Sequence, residues 1–106
     1  MALEITATPT AKLKISGTVT ELLSIYARLT FSFNYDGTNS GATFYNYSTK
    51  TQFESFPNQL LALTGFDNYV SFLIDTATEE QSLETGSEKV KELLEAQGYT
   101  VTIVDL

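Results

Sequence analysis

The stretch LSIYARLTFSFNY, residues 23–35, decides the fold. Its odd positions are Leu23, Ile25, Ala27, Leu29, Phe31, Phe33 and Tyr35. Between them stand Ser24, Tyr26, Arg28, Thr30, Ser32 and Asn34. Successive side chains of a β-strand point to opposite faces, so this period of two predicts a half-buried strand. Asp36-Gly37-Thr38-Asn39-Ser40-Gly41 is turn chemistry, and Ala42 to Tyr47 reads as the return strand of a hairpin. Thirteen extended residues span roughly 43 Å, whereas a compact chain of this length is roughly 34 Å across. The hairpin must therefore bend, carry a bulge, or project from the body.

Aromatic residues crowd this hairpin: Tyr26, Phe31, Phe33, Tyr35, Phe44, Tyr45 and Tyr47. Cross-strand packing on one sheet face accounts for Phe31, Phe33 and Phe44. Tyr26 lies on the other face, and Tyr45 and Tyr47 lie opposite Phe44. Aromatics on both faces predict that both faces are covered, either by the chain itself or by a partner, where tyrosine is favoured. The interface reading names Tyr26, Arg28, Tyr45 and Tyr47. It predicts that replacing Tyr26 and Tyr47 with serine weakens assembly and leaves the monomer folded.

Before the hairpin, Leu3, Ile5 and Ala7 alternate with Glu4, Thr6 and Thr8. Residues 1–9 read as a short strand or as an N-terminal arm that lends a strand to a neighbour through Leu3 and Ile5. Lys12 to Ile15 reads as a second short strand.

After the hairpin, Thr49-Lys50-Thr51-Gln52 is a capping box that opens a helix of one or two turns, stopped at Pro57. Tyr69 to Asp75 reads as a strand with Val70, Phe72 and Ile74 inward. Thr78-Glu79-Glu80-Gln81 reads as a second capping box, leading into a helix that carries Val90, Leu93 and Leu94 and stops at Gly98. Gly86 weakens such a helix by ~1 kcal/mol relative to alanine, which points to a start as late as Ser87. Tyr99 to Asp105 closes the chain as a strand, expected beside Tyr69–Asp75 and parallel to it.

The expected fold is therefore α+β, one domain over residues 1–106. A mostly antiparallel sheet carries the long aromatic hairpin, and a C-terminal helix is followed by a final strand.

Composition restricts the chemistry. The chain has no histidine, cysteine or tryptophan. That removes the residue types favoured for nucleophilic triads, thiol chemistry and soft-metal binding. Net charge is -7, and residues 75–106 hold eight acids against two bases. Nucleic-acid binding needs a basic stripe, and anionic membranes need basic clusters; neither pattern is present. No apolar run reaches the ~20 residues of a membrane span, and Met1-Ala2-Leu3-Glu4 lacks the pattern of a signal peptide. The cytoplasm is the default location. Asn46-Tyr47-Ser48 matches a glycosylation triplet, read as chance without a secretory signal.

Three further patterns bear on function. Asp36, Thr38, Ser40 and Gly41 resemble the start of a calcium loop, but its twelfth position is Tyr47 rather than an acid, so a turn without metal is expected. Glu54, Asp67 and Asp75 could do carboxylate acid–base work, yet nothing in their spacing brings them together. Glu80, Glu84, Glu88 and Glu92 recur every four residues and stack on one helix face. This acidic stripe reads as a solvated outer face or as a docking stripe for a basic partner. The chain is expected to be no enzyme and to need no cofactor.

Taken together, these features resemble small accessory structural proteins of tailed-phage virions. The shared traits are a Thr/Ser-rich apolar N-terminus, a long aromatic hairpin, an acidic helix and the lack of catalytic groups. The segments Ser24–Phe31 and Tyr45–Lys50 are similar to hairpins of such bacteriophage proteins. The likeness is one of texture over most of the chain, with no diagnostic motif, so no site residue is carried over. It implies a structural protein in a multi-copy assembly at the capsid, neck, tail or baseplate, hence a virion location. The expected function is non-enzymatic: docking on other protein subunits through the hairpin and sheet edges. The alternative is a small acidic regulator that binds a basic partner through its C-terminal helix.

Overall fold

Ile25, Ala27 and Leu29 point into the interior, as their spacing predicts. Leu23 does not: it is 88% exposed, because the chain bends just before the strand begins. The computed structural model describes residues 2–34 and 39–105, so Tyr35 and the turn residues Asp36, Gly37 and Thr38 lie outside the described part.

In chain order the elements are β1 (Ala2–Thr6), β2 (Leu13–Ile15), β3 (Glu21–Leu22), β4 (Ser24–Ser32), β5 (Ser40–Tyr47), α1 (Lys50–Ser55), β6 (Leu63–Thr64), β7 (Tyr69–Phe72), α2 (Leu83–Ala96) and β8 (Thr100–Val104). The fold is α+β. A five-stranded sheet has the order β7-β5-β4-β1-β8, and a three-stranded sheet has the order β3-β2-β6. Every paired neighbour is antiparallel.

The hairpin folds back as the middle of the large sheet. β4 pairs with β5 from Tyr26↔Tyr47 to Ser32↔Gly41 and with β1 from Ala2↔Arg28 to Thr6↔Ser24. The strand is nine residues long, shorter than expected: its ladder with β5 ends at Ser32↔Gly41, and Phe33 and Asn34 lie beyond it.

One face of this sheet carries the core. Leu3, Ile5, Ile25, Phe44 and Val101 pack there with Val90 and Leu94 of α2 and with Leu13 of the small sheet. Burial of each large aliphatic side chain contributes roughly 1.5–3 kcal/mol. Leu22, Leu63 and Phe66 close the margin from the small-sheet side. Asn46 also lies on this face. It is 6% exposed, and its Oδ1 has no hydrogen-bond partner.

Two expectations about the C-terminal unit are corrected. The cap of α2 is Ser82, whose hydroxyl accepts from the Thr85 amide at 3.2 Å, not Thr78. Residues 76–78 form a turn instead, in which the Asp75 carboxylate accepts from the Ala77 amide at 3.0 Å. Gly86 therefore lies within the helix. Its place is set by packing, because the Phe31 ring occupies the space of a Cβ. At the other end Gly98, at φ 102, takes the left-handed conformation that ends the helix.

The second correction concerns β8, which does not lie beside β7. It pairs with β1 from Ala2↔Val104 to Thr6↔Thr100, at the opposite edge of the sheet. A fourteen-residue helix rises roughly 21 Å, and five strands set ~4.8 Å apart place the outer two roughly 19 Å apart. α2 is thus long enough to carry the chain from one edge to the other, and β1 takes the inner place. Residues 2–6 are accordingly an interior strand, not an arm.

Candidate functional site

The second face of the large sheet carries the side chains that sequence reasoning assigned to an interface. Tyr26 of β4 and Tyr47 of β5 are directly opposite each other. α1 lies over them, capped by the Thr49 hydroxyl, which accepts from the Gln52 amide at 3.0 Å. The helix delivers Phe53 between the two tyrosines. The Tyr26 and Phe53 rings stack at 5.8 Å, and Tyr47 meets Phe53 edge-on at 5.1 Å. The Arg28 guanidinium stands 4.7 Å from the Phe53 ring centre, a cation–π contact.

Polar ends are tied off around this stack. The Tyr47 hydroxyl donates to the Pro57 carbonyl at 2.6 Å. The Tyr26 hydroxyl donates to Asp105 Oδ2 at 2.7 Å, and Lys50 Nζ donates to Asp105 Oδ1 at 2.9 Å. The Lys50 ammonium, with help from the Tyr26 hydroxyl, holds the Asp105 carboxyl below its usual range. Asp105 in turn raises the Lys50 value, while burial pushes Tyr26 upward. The Lys50–Asp105 pair is largely exposed, so its own stabilisation is small.

The cluster is therefore an internal lock. Tyr26 is 2% exposed and Tyr47 4%, so neither is presented to a partner, which corrects the interface expectation for both. Leu3 and Ile5 are fully buried between β4 and β8 and are likewise not presented. Arg28 is half-buried beneath α1. Tyr45, at 41% exposure, remains on the surface. Phe53, Lys50 and Asp105 are the members that sequence reading missed. The Thr49 capping box was the signal that could have found Phe53, since it places a helix directly after the return strand.

The acidic stripe is split. Glu80 precedes α2 and lies off the helix, whereas Glu84, Glu88 and Glu92 lie on it, and all four are exposed. Those three line a groove of about 520 Å³ together with Glu79, Lys89 and Ile103 of β8. Lys89 bonds Glu79 at 2.8 Å and holds that carboxyl below its usual range, with the Asp75 amide adding to the effect.

Of the carboxylates considered for acid–base work, Glu54 is on α1, Asp67 lines a separate groove beside Asn46, and Asp75 lies in the turn before α2. Among the described residues no group of three or more acids is placed to hold a metal ion. No helix among them is long and apolar enough to cross a membrane.

The sheet ends in two edge strands, β7 and β8, and of β8 Val101 is only 4% exposed while Thr100 and Thr102 are exposed. Within an antiparallel ladder the peptide groups of successive residues point to opposite sides. The Ala7 amide donates to the Leu23 carbonyl, so the peptide groups of Leu3 and Ile5 also face β4, while those of Ala2, Glu4 and Thr6 face β8. Thr100, Thr102 and Val104 answer them. The N–H and C=O groups of Val101 and Ile103 are consequently directed away from the sheet. On β7 the same reasoning leaves Tyr69 and Ser71 facing outward. No family model matches the chain, and no curated protein or solved structure is significantly similar to it.

Proposed function

We propose that this chain is a non-enzymatic assembly subunit that joins neighbouring protein subunits by main-chain pairing at an open edge of its five-stranded sheet. The observation that carries this reading is β8. Its sequence Thr100-Val101-Thr102-Ile103-Val104 contains no charge, no proline and no glycine. It ends the sheet with the peptide groups of Val101 and Ile103 facing outward. Edge strands that are not meant to pair are blunted by charges, prolines, bulges or a covering element. β8 carries no charge or proline within its five residues. β7 is the lesser candidate at four residues, although Tyr69 and Leu73 beside it are exposed.

A pairing surface of this kind suits a structural subunit in a multi-copy assembly, since backbone hydrogen bonds supply affinity and alternate side chains fix register. A place in a phage capsid, neck, tail or baseplate rests on the resemblance alone. The reading as a small acidic regulator has one observation in its favour, the groove lined by Glu84, Glu88 and Glu92.

The test is solution NMR of the chain with an uncharged strand-forming peptide, Thr-Val-Thr-Val-Thr. Shifts concentrated at Thr100–Val104 support the proposal. Shifts confined to other elements, or none at all, overturn it.

A further inference from the structure

The open edge of β8 and the acidic side of α2 are one place. Ile103 lines the same groove of about 520 Å³ as Glu84, Glu88 and Glu92. Ile103 pairs with Leu3 and Val101 with Ile5, so both side chains point to the face that α2 covers. A strand added beside β8 would direct the residues opposite Val101 and Ile103 to that same face. Its alternate side chains would then stand against the groove. That groove presents four carboxylates, those of Glu79, Glu84, Glu88 and Glu92, against the single ammonium of Lys89. Lys89 is already bonded to Glu79 and also feels the charge of Glu92, and among the described residues none of Glu84, Glu88 and Glu92 makes a close ion pair.

We infer that the occupant of this edge is an extended segment of another protein with lysine or arginine at alternate positions. The inference rests on the reading of β8 as a pairing edge and adds the chemistry of the partner. Basic groups at every second position would lie on the α2 side and meet the glutamates, while the backbone continues the sheet. The intervening side chains would lie beside Thr100, Thr102 and Val104, which asks for small or β-branched residues.

A second copy of this chain is disfavoured at the same edge. Antiparallel pairing of β8 with β8 relates the copies by a two-fold axis perpendicular to the sheet, which puts both α2 helices on the same face. The two glutamate rows would then approach across the seam, in a chain whose net charge is already -7. Like charges brought together in this way oppose association.

The test compares two peptides, Lys-Thr-Lys-Val-Lys-Thr-Lys and Glu-Thr-Glu-Val-Glu-Thr-Glu, with the uncharged peptide as reference, by NMR titration of the full chain. The lysine peptide should move the Val101 and Ile103 amides and bind about tenfold more tightly than the uncharged one at low ionic strength. This advantage should shrink as salt rises to about 0.3 M. It should vanish in the Glu84→Gln, Glu88→Gln, Glu92→Gln variant, which still binds the uncharged peptide. If all three peptides bind β8 equally, the basic-partner inference is overturned and the pairing edge stands. If the lysine peptide moves α2 amides and leaves Val101 and Ile103 unmoved, strand addition is overturned in favour of helix docking. If no peptide moves β8, the pairing edge itself fails. A mass that doubles with concentration through β8 would replace the basic segment by a second copy.

Discussion

The ring of Phe31 lies against the backbone of Gly86: a Cβ on Gly86 would stand 2.7 Å from Phe31 Cε1. Phe31 stacks on Phe33 at 5.6 Å and meets Phe72 edge-on at 6.3 Å, so the ring is hemmed in by aromatic neighbours. The missing Cβ brings α2 close to the sheet. Helix propensity alone predicts that Gly86→Ala stabilises the protein by ~1 kcal/mol. Packing opposes it with a cost of about 1–3 kcal/mol as the ring is displaced, which leaves a net loss of up to about 2 kcal/mol. Urea denaturation decides between them; a raised midpoint would contradict the packing account.

Phe53 is the cover over Tyr26 and Tyr47. Phe53→Ala should cost about 2 kcal/mol, below the range for a fully buried phenylalanine because α1 is partly exposed. Both tyrosines should also become accessible to solvent, which near-ultraviolet circular dichroism reports in a chain without tryptophan. By the same logic Tyr26→Ser and Tyr47→Ser should destabilise the monomer itself, contrary to the expectation from sequence. Unchanged denaturation midpoints in all three variants would remove the lock from the account.

Asp105 and Glu79 both have carboxyls held below their usual range by lysine partners. A carboxyl with a depressed folded value adds stability above its unfolded value, and that stability is lost as pH falls through the folded one. The urea midpoint should therefore fall between pH 7 and about 3, and the Asp105→Asn, Glu79→Gln variant should fall less steeply. The effect should be small and weaken with salt, since both pairs reach the surface. Identical pH profiles for the two proteins would sink this assignment.

Asn46 buries an unpartnered Oδ1 on the core face beside Phe44 and Phe66. An acceptor left unsatisfied costs about 1–3 kcal/mol, whereas an apolar replacement of similar shape avoids that cost. Asn46→Leu should raise the unfolding free energy by about 1 kcal/mol, read as a higher urea midpoint. A loss of similar size would mean that the amide is satisfied in solution.

The local pattern of this fold was legible because neighbouring residues enforce it. The alternation from Ile25 to Phe31, the Thr49 cap and the Gly98 stop each depend on geometry within a few residues. What was not legible depends on contacts between distant segments. Whether Leu3 and Ile5 form an arm or an interior strand is settled by Val101 and Ile103, nearly a hundred residues later. Helix propensity marks Gly86 only as a weakness, and its reason lies in the distant Phe31 ring. The candidate surface followed the same division. Tyr26 and Tyr47 were rightly expected to be covered, but the cover came from Phe53 of the same chain. The pairing edge was invisible, because no local property of Thr100–Val104 says which strand will end a sheet.

The proposed pairing requires that β8 leave its outer edge unpaired in the free chain. Backbone amide hydrogen exchange reads this directly, residue by residue. The Thr102 and Val104 amides, bonded to β1, should exchange slowly, and those of Val101 and Ile103 should exchange at least about a hundredfold faster. Equal and strong protection at all four amides would mean that the edge is already closed, and would contradict the account.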